Sequence, residues 1–143
     1  MTIARIIAAR ESDAITSCST GDTVAEAAAL LSERRIGALP VFESGVIAGI
    51  FSERDLLYCI AREGAKVLDR QVGEVMTAPA ITTTPQTSVI DALKLMTRRR
   101  IRHLPVVEGE QVRGFISIGD LVKYRMDKIE AERNQMREYI QTA

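Results

Sequence analysis

A serine followed three residues later by an aspartate occurs twice in this sequence, as "SERD" at 52–55 and "SIGD" at 117–120. When such a serine precedes a helix, the two side chains form a capping box by bonding backbone N–H groups that the helix leaves unpaired. The same helix end also suits a phosphate, and the aspartate can accept hydrogen bonds from both hydroxyls of a ribose. These motifs are therefore compatible with helix capping alone and with ligand binding.

The two motifs end a longer internal repeat. A shift of 65 positions aligns residues 23–58 with residues 88–123 without a gap, and 14 of the 36 positions are identical. Both copies contain "LPV" (39–41 and 104–106) and a glycine three residues before the serine. Agreement of this kind indicates one structural unit present twice in tandem.

Each copy predicts the element order β-α-β-β-α. An extended segment ("AITSCS" at 14–19, "PAITTT" at 79–84) precedes a helix, and the proline of "LPV" favours a strand over a helix. A second apolar strand follows, and the serine then begins another helix, which in the first copy should end near Gly64. One unit of roughly 50 residues has too small a core to be stable alone. We therefore expect an α/β (α+β) fold in which two repeats pack sheet to sheet about a pseudo-twofold axis.

The predicted domains are residues 1–70 (N-terminal segment and first repeat), 71–128 (second repeat) and 129–143 (a helical extension). The final helix carries apolar residues on one side, interrupted by Arg133, which favours a docking helix over a long coiled coil. That apolar side consists of Val122, Met126, Ile129, Met136 and Ile140. The helix "VAEAAALL" has Glu26 as its only polar residue, which suggests burial on two faces and hence a homodimer.

Composition argues against several classes of function. Nineteen basic and nineteen acidic residues give a net charge of zero, so no long-range field attracts nucleic acid or an anionic membrane. No window approaches the ~18 apolar residues of a membrane span, and the N terminus does not fit a signal sequence. Cys18 and Cys59 fit no metal spacing, and His103 is the only histidine, without a catalytic companion set. A cytoplasmic, non-enzymatic protein without nucleic-acid or membrane partners is the simplest interpretation.

The surroundings of the motifs favour a small-ligand site. Gly49 and Gly114 permit close approach to the backbone before each serine. Apolar residues beside the two prolines can form walls for a purine, and a concave apolar site with a few polar groups is typical of ligand pockets. These wall residues are Ile36, Leu39, Ile101 and Leu104.

The doubled order of helix, "I-x-x-LPV", hairpin, "G-x-x-S-x-x-D" and helix resembles the cystathionine-beta-synthase (CBS) domain over about residues 14–125, as the tandem pair called a Bateman module. The resemblance implies a flattened disc that often dimerises and regulates an attached or partner protein. It also implies an adenine nucleotide ligand in two clefts between the repeats: AMP in the first place, with ADP, ATP, NAD or S-adenosylmethionine as alternatives.

By this resemblance Asp55 and Asp120 would hold ribose hydroxyls, and Ser52 and Ser117 would meet phosphate. The second copy has Arg102-His103 where the first has Gly37-Ala38, so we expect the second cleft to bind the more highly charged ligand end. The complete set of residues predicted for the clefts is Thr16, Cys18, Ile36, Gly37, Ala38, Leu39, Pro40, Ser52, Arg54, Asp55, Thr82, Thr83, Ile101, Arg102, His103, Leu104, Pro105, Ser117, Gly119 and Asp120. A structural dimerisation module with empty or vestigial clefts is the alternative.

Overall fold

The computed structural model describes residues 1–10 and 14–142, so Ala143, the last residue of the predicted extension, lies outside the described residues. The N-terminal helix α1 (Ile3–Ala8) is followed by β1 (Cys18–Ser19), α2 (Val24–Arg34), β2 (Ala38–Glu43), β3 (Val46–Ser52) and α3 (Glu53–Glu63). A 3-10 helix (Gly64–Asp69) and α4 (Val72–Val75) then lead to α5 (Val89–Arg99), β4 (His103–Glu108), β5 (Gln111–Ser117) and α6 (Ile118–Thr142). The predicted mixed α/β class with two repeats and a C-terminal helix is confirmed, and α3 ends at Gly64 as expected.

The two hairpins have the same register. Leu39 lies opposite Phe51 in β2 and β3, and Leu104 lies opposite Ile116 in β4 and β5. Each hairpin also has an irregularity after the valine of "LPV". In the first repeat β1 adds a parallel strand to β2, giving the order β1-β2-β3. Similar local sequences have thus produced the same strand pairing in both halves.

The first strand of the second repeat is reduced to a single parallel bridge. Thr83 donates its N–H to the carbonyl of Pro105 at 3.0 Å, and Val107 donates to the carbonyl of Thr83 at 2.8 Å. Thr83 is buried, and its bridge to Val106 occupies the edge of the sheet that β1 occupies in the first repeat. The predicted β-α-β-β-α order therefore holds in both copies, with a shorter first strand in the second.

Each repeat has its own hydrophobic core, and each core is completed by a helix from outside the repeat. Val72 of α4 packs in the first core, beside Leu39, Val41 and Phe51. Ile3 and Ile6 of α1 pack in the second core, which also contains Val89, Ala92, Met96, Leu104, Val106, Ile116 and Leu121. The N-terminal helix therefore supports the second repeat, although it precedes the first along the chain. The domain boundaries given above stay predictions.

Helix α6 begins on the second core and then leaves it. Leu121 is fully buried, and Ile118 and Tyr124 pack against the same cluster. Every residue from 129 to 142 is exposed. Within residues 1–10 and 14–142, no helix is long and apolar enough to cross a membrane.

Candidate functional site

A cavity of about 220 Å³ lies where the two repeats meet. Each of the helices α3 and α6 begins beside the start of the hairpin in its own repeat: Glu53 donates its N–H to the carbonyl of Gly37 at 3.0 Å, and Ile118 donates to the carbonyl of Arg102 at 2.8 Å. The residues lining the cavity are Arg10, Ala14, Ile15, Thr16, Ile36, Ala38, His103, Phe115, Ser117 and Asp120. Both repeats contribute to this wall, and six of the predicted site residues meet in it: Thr16, Ile36, Ala38, His103, Ser117 and Asp120.

Asp120 is fixed at the cavity wall by two donors to its carboxylate and by a hydrogen bond from its own N–H. Ser117 donates its N–H to Oδ2 of Asp120 at 2.8 Å, and Asp120 returns its own N–H to the Ser117 hydroxyl at 3.1 Å, which completes a capping box. Arg10 donates from Nη2 to the same Oδ2 at 2.9 Å and from Nη1 to the carbonyl of Phe115 at 2.9 Å. Oδ1 of Asp120 accepts no hydrogen bond from the described residues. Among residues 1–10 and 14–142 this oxygen has no donor, so a ligand could supply one.

Both carboxylate oxygens of the equivalent aspartate in the first repeat accept hydrogen bonds. Ser52 donates to Oδ2 of Asp55 from its N–H at 2.9 Å and from its hydroxyl at 3.1 Å. Thr77 donates its hydroxyl to Oδ1 at 2.9 Å. Both Ser-x-x-Asp motifs therefore cap helices as the sequence allowed, but the carboxylate of Asp120 has the more available oxygen.

His103 is packed at the junction of the repeats. Its ring stacks on Phe115 with the centroids 5.5 Å apart and an angle of 13° between the planes. On another side, a Cβ atom at Gly37 would lie 3.4 Å from Cε1 of His103 and 3.3 Å from Oε1 of Glu53. A larger residue at position 37 would press on both side chains, so glycine lets the two repeats approach here.

Burial lowers the pKa of His103 below its ordinary value of 6.5. The carboxylates of Asp120 and Glu53 act in the opposite direction, and the guanidinium of Arg102 lowers the pKa further. Burial disfavours the imidazolium because the charged ring loses hydration. His103 is therefore neutral at pH 7 and offers one N–H donor and one acceptor to the cleft.

The lowered pKa of His103 predicts a loss of stability on acidification. Below about pH 6.5 the unfolded chain binds a proton at this histidine that the folded chain does not yet bind. Protonation therefore stabilises the unfolded state and lowers the free energy of unfolding. We expect the melting temperature to fall more between pH 7.5 and pH 5.5 in the wild type than in His103→Gln. Differential scanning calorimetry at the two pH values measures this, and equal falls in the two proteins would contradict the assignment.

Several predicted site residues lie outside this cavity. Cys18 and Leu39 pack in the first core and Leu104 in the second, and burial, with a smaller effect of Asp22, raises the pKa of Cys18 to about 11. Pro40, Pro105 and Thr83 are buried within the sheets. Arg54, Arg102 and Gly119 are exposed, whereas Gly37, Thr82 and Ile101 are half-buried. Their assignment to ligand clefts stays a prediction.

Four residues of the cavity wall were not predicted: Arg10, Ala14, Ile15 and Phe115. Phe115 occupies a strand position next to Gly114, and its alternation with the buried Ile116 could have placed it on the cleft side. Arg10 had no signal in the sequence, since its role depends on α1 packing against the second repeat. Within the described ranges 1–10 and 14–142, no group of three His, Cys, Asp or Glu side chains could hold a metal ion.

The family model that matches this chain describes the CBS domain, and it matches twice, at residues 10–62 and 72–127. The mitochondrial CBS domain-containing protein CBSX3 of Arabidopsis thaliana is 39% identical over 129 residues, which are 87% of this chain and 63% of that protein. The CBS domain-containing protein YhcV of Bacillus subtilis is 34% identical over 114 residues, 78% of this chain and 79% of that one. The chain thus spans a little under two thirds of the plant relative.

Solved structures share the fold. A CBS-domain protein from Burkholderia ambifaria superposes with a TM-score of 0.83 at 37% identity, covering 89% of this chain and 95% of that chain. The CBS domain pair of protein MJ0100, in complex with 5'-methylthioadenosine and S-adenosyl-L-methionine, superposes with a TM-score of 0.77 over 90% of this chain and 98% of its own. At 22% identity, this second likeness concerns the fold alone.

Proposed function

Because this chain belongs to the CBS domain family and carries the domain twice, we propose that it is a non-catalytic regulatory module that binds an adenosine-containing ligand between its repeats. The observation that supports this most is the cavity of about 220 Å³, whose wall combines residues of both repeats with a positioned carboxylate at Asp120. A ligand in this place would contact both repeats at once. Its binding would therefore depend on how the two repeats are arranged.

The proposed contacts follow from the chemistry of the wall. Oδ1 of Asp120 would accept hydrogen bonds from the ribose hydroxyls, which are neutral donors that suit a fixed carboxylate. The side chains of Ile36 and Ala38 would form an apolar surface for the adenine ring. The first turn of α6, with the Ser117 hydroxyl, would face the anionic end of the ligand, where the positive end of the helix dipole favours negative charge.

Arg10 would change partner when the ligand binds. Its side chain is 31% exposed and that of Asp120 is 42% exposed, so their ion pair is worth about 1 kcal/mol or less. A ribose could therefore displace the guanidinium at little cost. The released Arg10 could pair with a phosphate, since a guanidinium binds phosphate through two parallel hydrogen bonds.

Among adenosine ligands we propose AMP in the first place, ahead of ADP, ATP, NAD and S-adenosylmethionine. A volume of about 220 Å³ is below the ~300 Å³ at which pockets for drug-sized ligands begin, which favours the smallest nucleotide. The complex of MJ0100 supports an adenosine group in general. It does not concern AMP.

The proposed output is a shift between arrangements of the repeats. A ligand that contacts both repeats favours the arrangement in which all its contacts form, and the populations shift by its differential affinity. The activity of the regulated protein would change with this shift. We expect this chain to act as a homodimer in the cytoplasm.

A structural dimerisation module is the second candidate, and one observation favours it. Both aspartates already have internal partners: Arg10 holds Asp120, and Thr77 with Ser52 holds Asp55. These contacts would hold both aspartates in place even in a protein whose clefts bind no ligand.

A thermal-shift titration separates the two candidates. A ligand that binds only the folded state raises the melting temperature with its concentration, by about 2.7 kcal/mol of stability at 100 times its dissociation constant. We expect a rise with AMP, and smaller rises with ADP, ATP, NAD and S-adenosylmethionine. GMP and inorganic phosphate are the controls. No rise with any adenosine ligand would leave the structural module as the function.

A further inference from the structure

Helix α6 has an apolar stripe that nothing covers in the described part of the chain. Val122 is 43% exposed, Met126 63%, Ile129 49%, Met136 62% and Ile140 68%. All residues from 129 to 142 are exposed, so this part of the helix extends about 20 Å from the rest of the protein. A single helix of this length is marginal in water without a packed face.

The stripe has the spacing of a coiled coil. From Val122 to Ile140 the apolar positions follow steps of four and three, once Arg133 is counted as one of them. Val122, Ile129 and Met136 then occupy d positions, and Met126, Arg133 and Ile140 occupy a positions. A single polar residue at an a position fixes register and number of strands at some cost in stability. Arg133, which argued against a long coiled coil in the sequence, is compatible with a short and specific one.

The charges beside the stripe are complementary to those of a second copy. Arg125 and Glu132 occupy g positions, and Glu130 and Arg137 occupy e positions. In a parallel pair in register, each g residue faces the e residue five positions later on the other helix. Arg125 then meets Glu130, and Glu132 meets Arg137, each twice by symmetry. None of these four side chains forms an ion pair within residues 1–10 and 14–142.

The opposite orientation fits the charges poorly. In an antiparallel pair that covers the whole stripe, e positions face e positions and g positions face g positions. Glu130 would then face Glu130 of the other copy, and Glu132 would face Glu132. Like charges at such short range oppose association.

We propose that α6 is a docking surface for α6 of a second copy of this chain, as a parallel coiled coil in register over residues 122–140. The a and d residues bury the stripe. Arg133 faces Arg133 of the other copy, and each of these guanidinium groups lies next to Glu132 of the other copy, which neutralises part of its charge. The globular parts of the two copies then lie at the same end of the coil. This interface is separate from the cleft and needs no ligand.

Disulfide cross-linking tests the orientation. At a d position of a parallel pair in register, a residue contacts the same residue of the other helix. The two cysteines of Met136→Cys should therefore form a disulfide between the copies. Glu138→Cys, on the outward f position, is the matched control, and both are made in a Cys59→Ser background because Cys18 is buried. We expect a linked dimer from position 136 under mild oxidation and at least about tenfold slower linking from position 138. Equal rates at both positions, or no linking at 136, would overturn the proposal.

Charge exchange tests the pairing. In the Met136→Cys protein, Glu132→Arg turns two attractive pairs into repulsive ones and should slow cross-linking about tenfold. Adding Arg137→Glu restores opposite charges and should restore most of the rate. Glu138→Arg makes the same charge change on the outward face and should leave the rate unchanged. If Glu132→Arg and Glu138→Arg behave alike, the pairing is wrong; no ligand enters these measurements, so their failure is distinct from a failure of the proposed ligand binding.

Discussion

Replacement of Asp120 by alanine is expected to weaken binding of AMP by about 100-fold, because a carboxylate that accepts two ribose hydroxyls contributes roughly 1.5 kcal/mol or more through each bond. One oxygen of this carboxylate accepts hydrogen bonds from Ser117 and Arg10, and the other accepts none from the described residues 1–10 and 14–142. Isothermal titration calorimetry on the wild type and Asp120→Ala measures the change. Asp55→Ala should have a smaller effect at this cleft, since Asp55 does not line it.

The control for Asp120→Ala is Asp91→Ala. Asp91 lies at the same position of helix α5, where its N–H bonds the hydroxyl of Ser88 at 3.0 Å, but it is exposed and away from the cavity. Both substitutions remove an acid from the first turn of a helix, worth about 1 kcal/mol or less of stability. Only Asp120→Ala should affect ligand affinity. If the two variants bind AMP equally well, the carboxylate of Asp120 does not hold the ligand.

Gly49→Ala is expected to destabilise the folded protein by about 2 kcal/mol, because an added methyl group has no room. Its Cβ would lie 2.6 Å from the carbonyl oxygen of Thr77 and 2.8 Å from the sulfur of Met76. The Thr77 carbonyl cannot withdraw easily, since it accepts the N–H of Ile50 at 2.9 Å. Displacing Thr77 would also disturb its hydroxyl bond to Asp55.

Gly114→Ala is the matched control at the same place in the second repeat. There the added Cβ would lie 3.2 Å from two side-chain carbons of Ile7, which can change rotamer or shift with α1. We expect a loss of less than about 1 kcal/mol. Urea unfolding of both variants gives the free energies. An equal loss in the two would show that the bridge between Ile50 and Thr77 does not constrain the first repeat.

The hairpins and helix ends could be predicted because they depend on short-range signals that the repeat shows twice. The prolines at 40 and 105, the serines at 52 and 117 and the glycine at 64 each act within a few residues. The role of α1 could not be predicted in this way. In the sequence, Ile3 and Ile6 belong to a short apolar segment without a distinguishing motif. Their place in the second core becomes evident only in the folded chain. Their counterpart in the first half, Val72, follows the first repeat instead of preceding it.

The candidate site was predictable in its motifs and less so in its geometry. Arg102 and His103 distinguished the second cleft in the sequence, but the two Ser-x-x-Asp motifs did not show which aspartate has the more available oxygen. The difference arises from distant partners, Arg10 for Asp120 and Thr77 for Asp55, which are 110 and 22 residues away. Leu39 and Leu104, which were predicted as purine walls, pack in the two cores. Side chains alternate along a strand, so the neighbouring Ala38 and His103 line the cavity, and a purine contact of the two leucines stays a prediction.

The most direct measurement for the proposed function is a crystal structure of the protein soaked with AMP. We predict density for the nucleotide between the repeats, with a ribose hydroxyl within hydrogen-bond distance of Asp120 and the adenine against Ile36. The Arg10 guanidinium should have moved away from Oδ2 of Asp120. AMP bound elsewhere, or an unchanged contact between Arg10 and Asp120 with an empty cleft at saturating AMP, would contradict it.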